Sequence, residues 1–261
     1  MIHFIGAGPG APDLITVRGQ RLMAQADCVI YAGSLVNPQL LEGIKAGCRV
    51  LNSAAMTLEE VIDAMACEEA AGHDTVRLHT GDPSVYGAIR EQLDRLDRLG
   101  IPYEVVPGVS SFCAAAAALG AEYTLPGVSQ TVVITRMAGR TPVPQREGIA
   151  SLAAHHATMV VFLSAGMLEG LSRELLAGGY EPDTPAALVY KASWPEERVV
   201  RCTVATLPQA GRENGIHKTA LVLSLIHISP GRCSLPPAAR RPASARSGCR
   251  RPGPFSAAHR R

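Results

Sequence analysis

Up to about residue 224 the chain alternates short apolar, β-branched runs with longer stretches of helical period, and no other feature restricts the fold so strongly. The runs predict strands over 2–5, 28–31, 75–78, 103–106, 131–135, 159–163, 187–190, 199–204 and 219–223. Between them the periodicity predicts helices over 14–25, 57–71, 86–98, 109–119, 148–156, 166–176 and 205–212. In the first half strand and helix take turns, as in a largely parallel sheet with helices on its faces. In the second half several strands follow one another, as in a mixed sheet. The expected architecture is therefore α/β with two domains, 1–109 and 110–225, joined near Pro107-Gly-Val-Ser110.

From Ile226 the periodicity disappears and Pro, Ala, Arg, Ser and Gly dominate, a composition unable to bury a core. Residues 226–261 read either as a disordered basic tail or as non-native sequence. The second reading is preferred, because the Arg/Pro/Ala monotony resembles GC-rich DNA translated out of frame and Ser224-Leu-Ile-His-Ile-Ser229 resembles translated adaptor sequence. Residues 229–261 hold eight arginines and no Lys, Asp or Glu, so the formal charge of +2 hides a body of 17 basic and 23 acidic residues, a balance of −6 over 1–228. An acidic body argues against nucleic acid as partner, since phosphates require clustered positive charge. No window approaches the roughly 18 apolar residues of a membrane span, and Ile2-His-Phe-Ile5 opens the chain as a strand instead of a signal peptide, so a cytoplasmic location is expected. The seven cysteines are scattered without a Cys-x-x-Cys, and neither a disulfide framework nor a metal ligand set stands out.

Three corners where a strand gives way to a helix carry glycine. The first, Ile5-Gly-Ala-Gly-Pro-Gly-Ala-Pro-Asp13, lets the backbone turn sharply and approach a ligand. It also fits the dinucleotide fingerprint, which keeps a nicotinamide-dependent dehydrogenase open. Against that, Pro9 and Pro12 remove amide donors where a pyrophosphate would sit, and Tyr31-Ala-Gly-Ser34 lacks the acidic residue that holds a ribose. The second corner is His79-Thr-Gly-Asp-Pro-Ser-Val-Tyr-Gly87, where Asp82 is either a helix N-cap or a cofactor-facing group. The third, Val106-Pro-Gly-Val-Ser-Ser-Phe112, offers Ser110 and Ser111 as helix caps or ligand contacts. Three such corners at the carboxyl edge of one sheet suggest a single cleft.

These residues resemble the tetrapyrrole methylases, the S-adenosylmethionine-dependent enzymes of cobalamin and sirohaem synthesis. The matches are G-A-G-P-G at 6–10, Leu14-Ile-Thr16 and Gly19, G-D-P-S-V-Y-G at 81–87 and P-G-V-S-S-F at 107–112, within a similarity that extends over about 1–224. Tyr31-Ala-Gly-Ser-Leu-Val36, Leu125-Pro-Gly-Val-Ser-Gln-Thr131, Arg140-Thr-Pro-Val-Pro144 and Ala192-Ser-Trp-Pro-Glu-Glu-Arg198 resemble the precorrin-4 C-11 branch. Uroporphyrinogen-III methyltransferases, the nearer alternative with other precorrin methyltransferases, carry aspartate where this chain has Ala32. The resemblance implies that Pro9, Gly81, Asp82, Val85, Ser110 and Ser111, with Leu163, Ala192, Thr219 and Ala220 from the second half, surround S-adenosylmethionine. It further implies a homodimer. Two departures stand out: Ala11 replaces an aspartate usual in the family, and the family's closing segment beyond Leu223 is missing. Ala11 and the abnormal tail motivate a third reading, a cofactor-binding but inactive protein.

The implied reaction is direct displacement, in which a nucleophilic ring carbon takes the methyl group of the sulfonium and S-adenosylhomocysteine leaves. It requires alignment more than acid–base chemistry, and no side chain is singled out as a catalytic acid or base. A precorrin carries many carboxylates, and Arg136, Arg140 and Arg146, in or beside the proline-rich 138–146 loop, are the expected grips, because guanidinium forks match carboxylates. Trp194 reads as a core anchor or a face of the macrocycle site, with the core anchor preferred, and the His155-His156 pair as structural.

Overall fold

A computed structural model describes residues 1–139 and 141–224. Arg140 and the 225–261 tail lie outside the described residues. The first half contains β1 (Ile2–Gly6), α1 (Val17–Gln25), β2 (Cys28–Tyr31), β3 (Arg49–Asn52), α2 (Leu58–Ala70), β4 (Thr75–His79), α3 (Arg90–Leu99) and β5 (Tyr103–Val106). These strands form one sheet in the order β3-β2-β4-β1-β5, parallel throughout. The two central strands, β1 and β4, are buried at every residue, as a strand covered on both faces requires. Ile5, Val29, Val76 and Leu78 pack with Met23 of α1 on one face, and Ile2, Phe4 and Ile30 pack with Met65 of α2 and Leu96 of α3 on the other.

The second half holds α4 (Ser111–Leu119), β6 (Val132–Arg136), α5 (Ile149–Ala153), β7 (Thr158–Phe162), α6 (Leu168–Ala177), β8 (Pro185–Tyr190), β9 (Arg198–Thr203), α7 (Leu207–Glu213) and β10 (Ala220–Ser224). The sheet order is β6-β7-β10-β8-β9, with β6 and β7 parallel and the remaining pairs antiparallel. Period-2 alternation divides its residues between two cores. Val161, Leu188 and Val222 face α5, α6 and α7, whereas Val160, Val189, Leu221 and Leu223 face Ala114, Ala115 and Leu119 of α4. The first helix after the expected join at 109/110 thus packs on the second sheet. Both sheets belong to one compact unit.

The α/β architecture, parallel then mixed, matches the sequence expectation, with three local differences. Strand β3 was not predicted. It is an edge strand with Arg49, Val50 and Asn52 exposed, so it lacks the apolar alternation that marks a half-buried strand. Helix α3 begins at Arg90, not 86, because Tyr86 and Ala88 have φ of 55° and 50°, incompatible with a right-handed helix. Helix α5 stops at Ala153, short of 156, where His156 turns left-handed at φ 50°.

Candidate functional site

Strands β4, β1 and β5 are neighbours, so the three glycine-bearing segments leaving their carboxyl ends emerge side by side. The first and second are joined by reciprocal hydrogen bonds: Gly81 N donates to Gly8 O at 2.9 Å and Gly8 N to Gly81 O at 3.3 Å. The third closes against both through backbone alone. A Cβ on Gly108 would lie 2.2 Å from Gly81 O and 2.7 Å from the Cα of Gly6, so no side chain fits there. Asp82 ties the same loops electrostatically. Its Oδ2 accepts from Gly108 N at 2.8 Å, and its Oδ1 accepts from Ser84 N at 2.8 Å and from the Ser84 hydroxyl. Burial raises the Asp82 pKa, but the hydrogen bonds from the Ser84 hydroxyl and the Gly108 and Ser84 amides together outweigh it and hold the carboxyl below the usual range. Of the two roles open in the sequence, the helix cap is excluded, since α3 starts eight residues later.

A segment after β8 reaches across to the first loop. Trp194 Nε1 donates to Pro9 O at 3.0 Å, Ala11 N donates to Ser193 Oγ at 3.0 Å, and the indole ring fills the space where a Cβ of Gly10 would lie, 2.1 Å away. Buried Asn37 takes the next carbonyl, donating to Gly10 O at 2.9 Å. Trp194 is half-buried and clasps the two halves together, which differs from the core anchor expected from sequence.

Between the sheets these segments enclose a cavity of about 840 Å³, inside the ~300–1,000 Å³ range of small-molecule sites. All ten residues assigned to a cofactor by resemblance line it: Pro9, Gly81, Asp82, Val85, Ser110 and Ser111 from the first half, and Leu163, Ala192, Thr219 and Ala220 from the second. Ser110 occupies the N-cap position of α4 yet its side chain makes no capping hydrogen bond. The amino end of α4 opens on the cavity and favours negative charge there.

Strained backbone concentrates at this cavity. Among the described residues seven non-glycines have φ between 47° and 67°. Four of them, Tyr86, Leu163, Lys191 and Thr219, line the cavity, and Ala88 and Ser193 each neighbour a lining residue. Such residues cost about 1–3 kcal/mol each and persist where the surroundings hold them, commonly at ligand sites.

Sequence reasoning missed His79, Tyr86, Lys191 and Lys218, which also line the cavity. Lys191 and Lys218 directly flank residues already singled out, and His79 and Tyr86 lie inside the second glycine corner. His79 ends the buried strand β4, and its Nε2 is buried with no hydrogen-bond partner. Burial, with the charge of Arg77 adding to it, pushes its pKa down to about 3, so the ring is neutral at physiological pH. Arg77, itself buried, donates to Gln92 Oε1 at 3.0 Å and to Ile30 O at 3.1 Å, and burial lowers its pKa to about 10.

Neither of the two described arginines proposed as carboxylate grips, Arg136 and Arg146, is part of the cavity lining. Arg136 donates to Thr141 O at 3.1 Å and to Pro142 O at 3.0 Å, and so holds the proline-rich loop. Arg146 is fully exposed beside Glu147, neither residue lines the cavity, and Arg140 lies outside the described residues. No group of three or more His, Cys, Asp or Glu able to hold a metal occurs among the described residues, and none of their helices is long and apolar enough to cross a membrane.

The same residues carry likeness to known proteins. The profile of the tetrapyrrole (corrin/porphyrin) methylases matches residues 1–208. A cobalt-precorrin-4 C(11)-methyltransferase of Methanocaldococcus jannaschii is 52% identical over 85% of this chain and 86% of its own. A precorrin-4 C(11)-methyltransferase of Mycobacterium tuberculosis is 47% identical over 85% and 89%. Among solved structures, a cobalt precorrin-4 methyltransferase superposes with a TM-score of 0.84 at 49% identity, covering 85% of this chain and 93% of that one. A uroporphyrin-III C-methyltransferase of Thermus thermophilus, complexed with S-adenosylhomocysteine, gives 0.72 at 30% identity, covering 85% and 91%. With a profile match over most of its length and relatives near half identical, the chain belongs to the tetrapyrrole (corrin/porphyrin) methylases.

Proposed function

We propose that this protein transfers a methyl group from S-adenosylmethionine to C-11 of precorrin-4, or of its cobalt-bearing counterpart, in cobalamin biosynthesis. The observation that carries the C-11 position is the margin in identity: 45–52% to the C-11 methyltransferases against 30% to the uroporphyrin-III enzyme, each over 85% or more of the chain. Ala32 agrees with it, because this residue lines the cavity at the position where uroporphyrinogen-III enzymes carry aspartate.

The residues present fit the cofactor. Gly6, Gly81 and Gly108 pack so closely that a Cβ at Gly6 or Gly108 would strike backbone, and Gly81 with the small Ser110, Ser111, Ala192 and Ala220 keeps the cavity wall open to a ligand. We assign the holding of S-adenosylmethionine to these residues with Pro9, Asp82, Val85, Leu163 and Thr219. When bound, the sulfonium supplies an activated methyl group. The protein's part is to keep acceptor carbon, methyl and sulfur in line, an alignment that contributes about 7 kcal/mol or more in well-oriented systems. Asp82 contributes by locking two loops, since both of its oxygens are engaged by Ser84 and Gly108. The loop geometry at Ala11 is carried by its amide on Ser193, which requires no carboxylate at that position. A homodimer accompanies this assignment, and light scattering tests it.

Incubation with methyl-labelled S-adenosylmethionine and precorrin-4 is expected to place label at C-11. Unlabelled precorrin-4 with label entering C-2 or C-7 of uroporphyrinogen III in a parallel incubation, or tight NAD(P)H binding without S-adenosylhomocysteine binding, would overturn the assignment.

A further inference from the structure

The cavity's charge is one-sided. Among the described residues its only lining carboxylate is Asp82, whose oxygens are already bonded to Ser84 and Gly108, whereas its second wall presents Lys191, His217 and Lys218. Lys191 is compensated: its Nζ lies 3.3 Å from Glu196 Oε1 and 5.1 Å from the Trp194 ring. Lys218 is exposed and has no ion-pair partner among the described residues.

The backbone at Lys218 is held in an unusual way. The paired register of β8 and β10 ends at Tyr190 and Ala220. The next residues outward, Lys191 and Thr219, are both left-handed, at φ 47° and 55°, and are joined by Lys191 N donating to Thr219 O at 3.0 Å. Two strained residues facing each other across a ladder end cost energy that a plain strand end would not. They set the course of the chain on which Lys218 reaches the cavity.

Position along the wall indicates which ligand group Lys218 meets. The inner wall is buried, with Ser110, Ala192 and Leu221 each 6% exposed. The outer part carries apolar side chains left open to solvent, Leu35, Tyr86 at 43% and Leu163 at 69% exposure, and Lys218 belongs to this outer part. Exposed apolar surface and an uncompensated cation lining one cavity suit a flat macrocycle fringed with carboxylates.

We infer that Lys218 is a substrate-binding residue that pairs with a peripheral carboxylate of the tetrapyrrole, taking the part assigned from sequence to the arginines of the 138–146 loop. This rests on the proposed substrate class. The class fails separately, if the wild-type enzyme neither binds nor methylates the tetrapyrrole.

The test compares Lys218→Met and Lys218→Glu with Arg98→Gln, which removes an exposed charge from the last turn of α3, away from the cavity lining. Steady-state kinetics with enzymatically generated precorrin-4 give kcat and KM, calorimetry gives the Kd of S-adenosylhomocysteine, and thermal melting verifies folding. Loss of one charge-assisted contact is expected to raise KM for the tetrapyrrole about tenfold in Lys218→Met, and further in Lys218→Glu. The kcat, the S-adenosylhomocysteine Kd and all values for Arg98→Gln are expected to stay within about twofold. Unchanged KM in folded Lys218→Glu overturns the inference. Weakened S-adenosylhomocysteine binding in parallel also overturns it, since Lys218 would then serve the cofactor's carboxylate.

Discussion

Replacing Gly108 by alanine tests whether the convergence of three loops determines the site. The new Cβ would sit 2.2 Å from Gly81 O and 2.7 Å from the Gly6 Cα, whereas ordinary contact begins at 3.4 Å, so one backbone must retreat by about 1.2 Å. Neither neighbour is free to yield: Gly81 is locked to Gly8 by two hydrogen bonds, and Gly108 itself is fixed by Asp82. Overpacking of this kind costs about 1–3 kcal/mol, which for a chain of this size lowers Tm by about 3–10 °C. A displacement near 1 Å at the wall of an aligned site lowers turnover by about a hundredfold. Gly120→Ala is the comparison. That residue caps α4 at φ 61° with nothing within 4 Å, so it loses about 1 kcal/mol of stability from left-handed strain while cofactor binding is unchanged. Calorimetry with S-adenosylhomocysteine and thermal melting separate the two variants. Wild-type affinity and turnover in Gly108→Ala would refute the reasoning.

Three further substitutions probe other contacts. Asp82→Asn keeps the shape but loses the charge, and is expected to cost about 1 kcal/mol at neutral pH. Because the folded pKa of Asp82 is depressed, its contribution is full above the unfolded value of about 3.9 and is lost as pH falls through the folded value; the gap between wild type and variant in urea melts should therefore close below about pH 4. Trp194→Phe removes the donor to Pro9 O, and a loss of about 1 kcal/mol in stability with a roughly fivefold weaker S-adenosylhomocysteine Kd is expected; an unchanged Kd would separate the clasp from the cavity. Leu163→Gly relieves a left-handed leucine that is 69% exposed, so the melting temperature should hold or rise while turnover drops; a large loss of stability would show that Leu163 is a packing residue.

Much of the fold was legible because it is written in local preferences. The central strands carry apolar residues at Ile2, Phe4, Ile5, Val76 and Leu78, α2 opens with a Thr57/Glu60 capping box, and each of the three glycine corners follows a strand. The failures have local causes too: β3 is short and exposed, and the strained φ values at Tyr86 and Ala88 delay α3 in a segment whose composition favours helix.

Sequence by itself determined the α/β class, the change from parallel to mixed sheet, the family and the ten residues that gather round the cavity, since strand period, turn glycines and shared motifs all survive in one dimension. Tertiary structure decided how those residues act. The order β4-β1-β5 makes three corners neighbours although about 75 and 25 residues separate them along the chain. That adjacency engages the Asp82 carboxylate with Gly108 and packs Gly6 and Gly108 backbone against backbone, while the segment after β8 joins Trp194 to Pro9 across 185 residues. The fold also brings Lys218, beside a left-handed Thr219 at a strand end, to the cavity lining. The side chain facing a ligand is set by strand register and backbone φ, and neither quantity can be read from residue type.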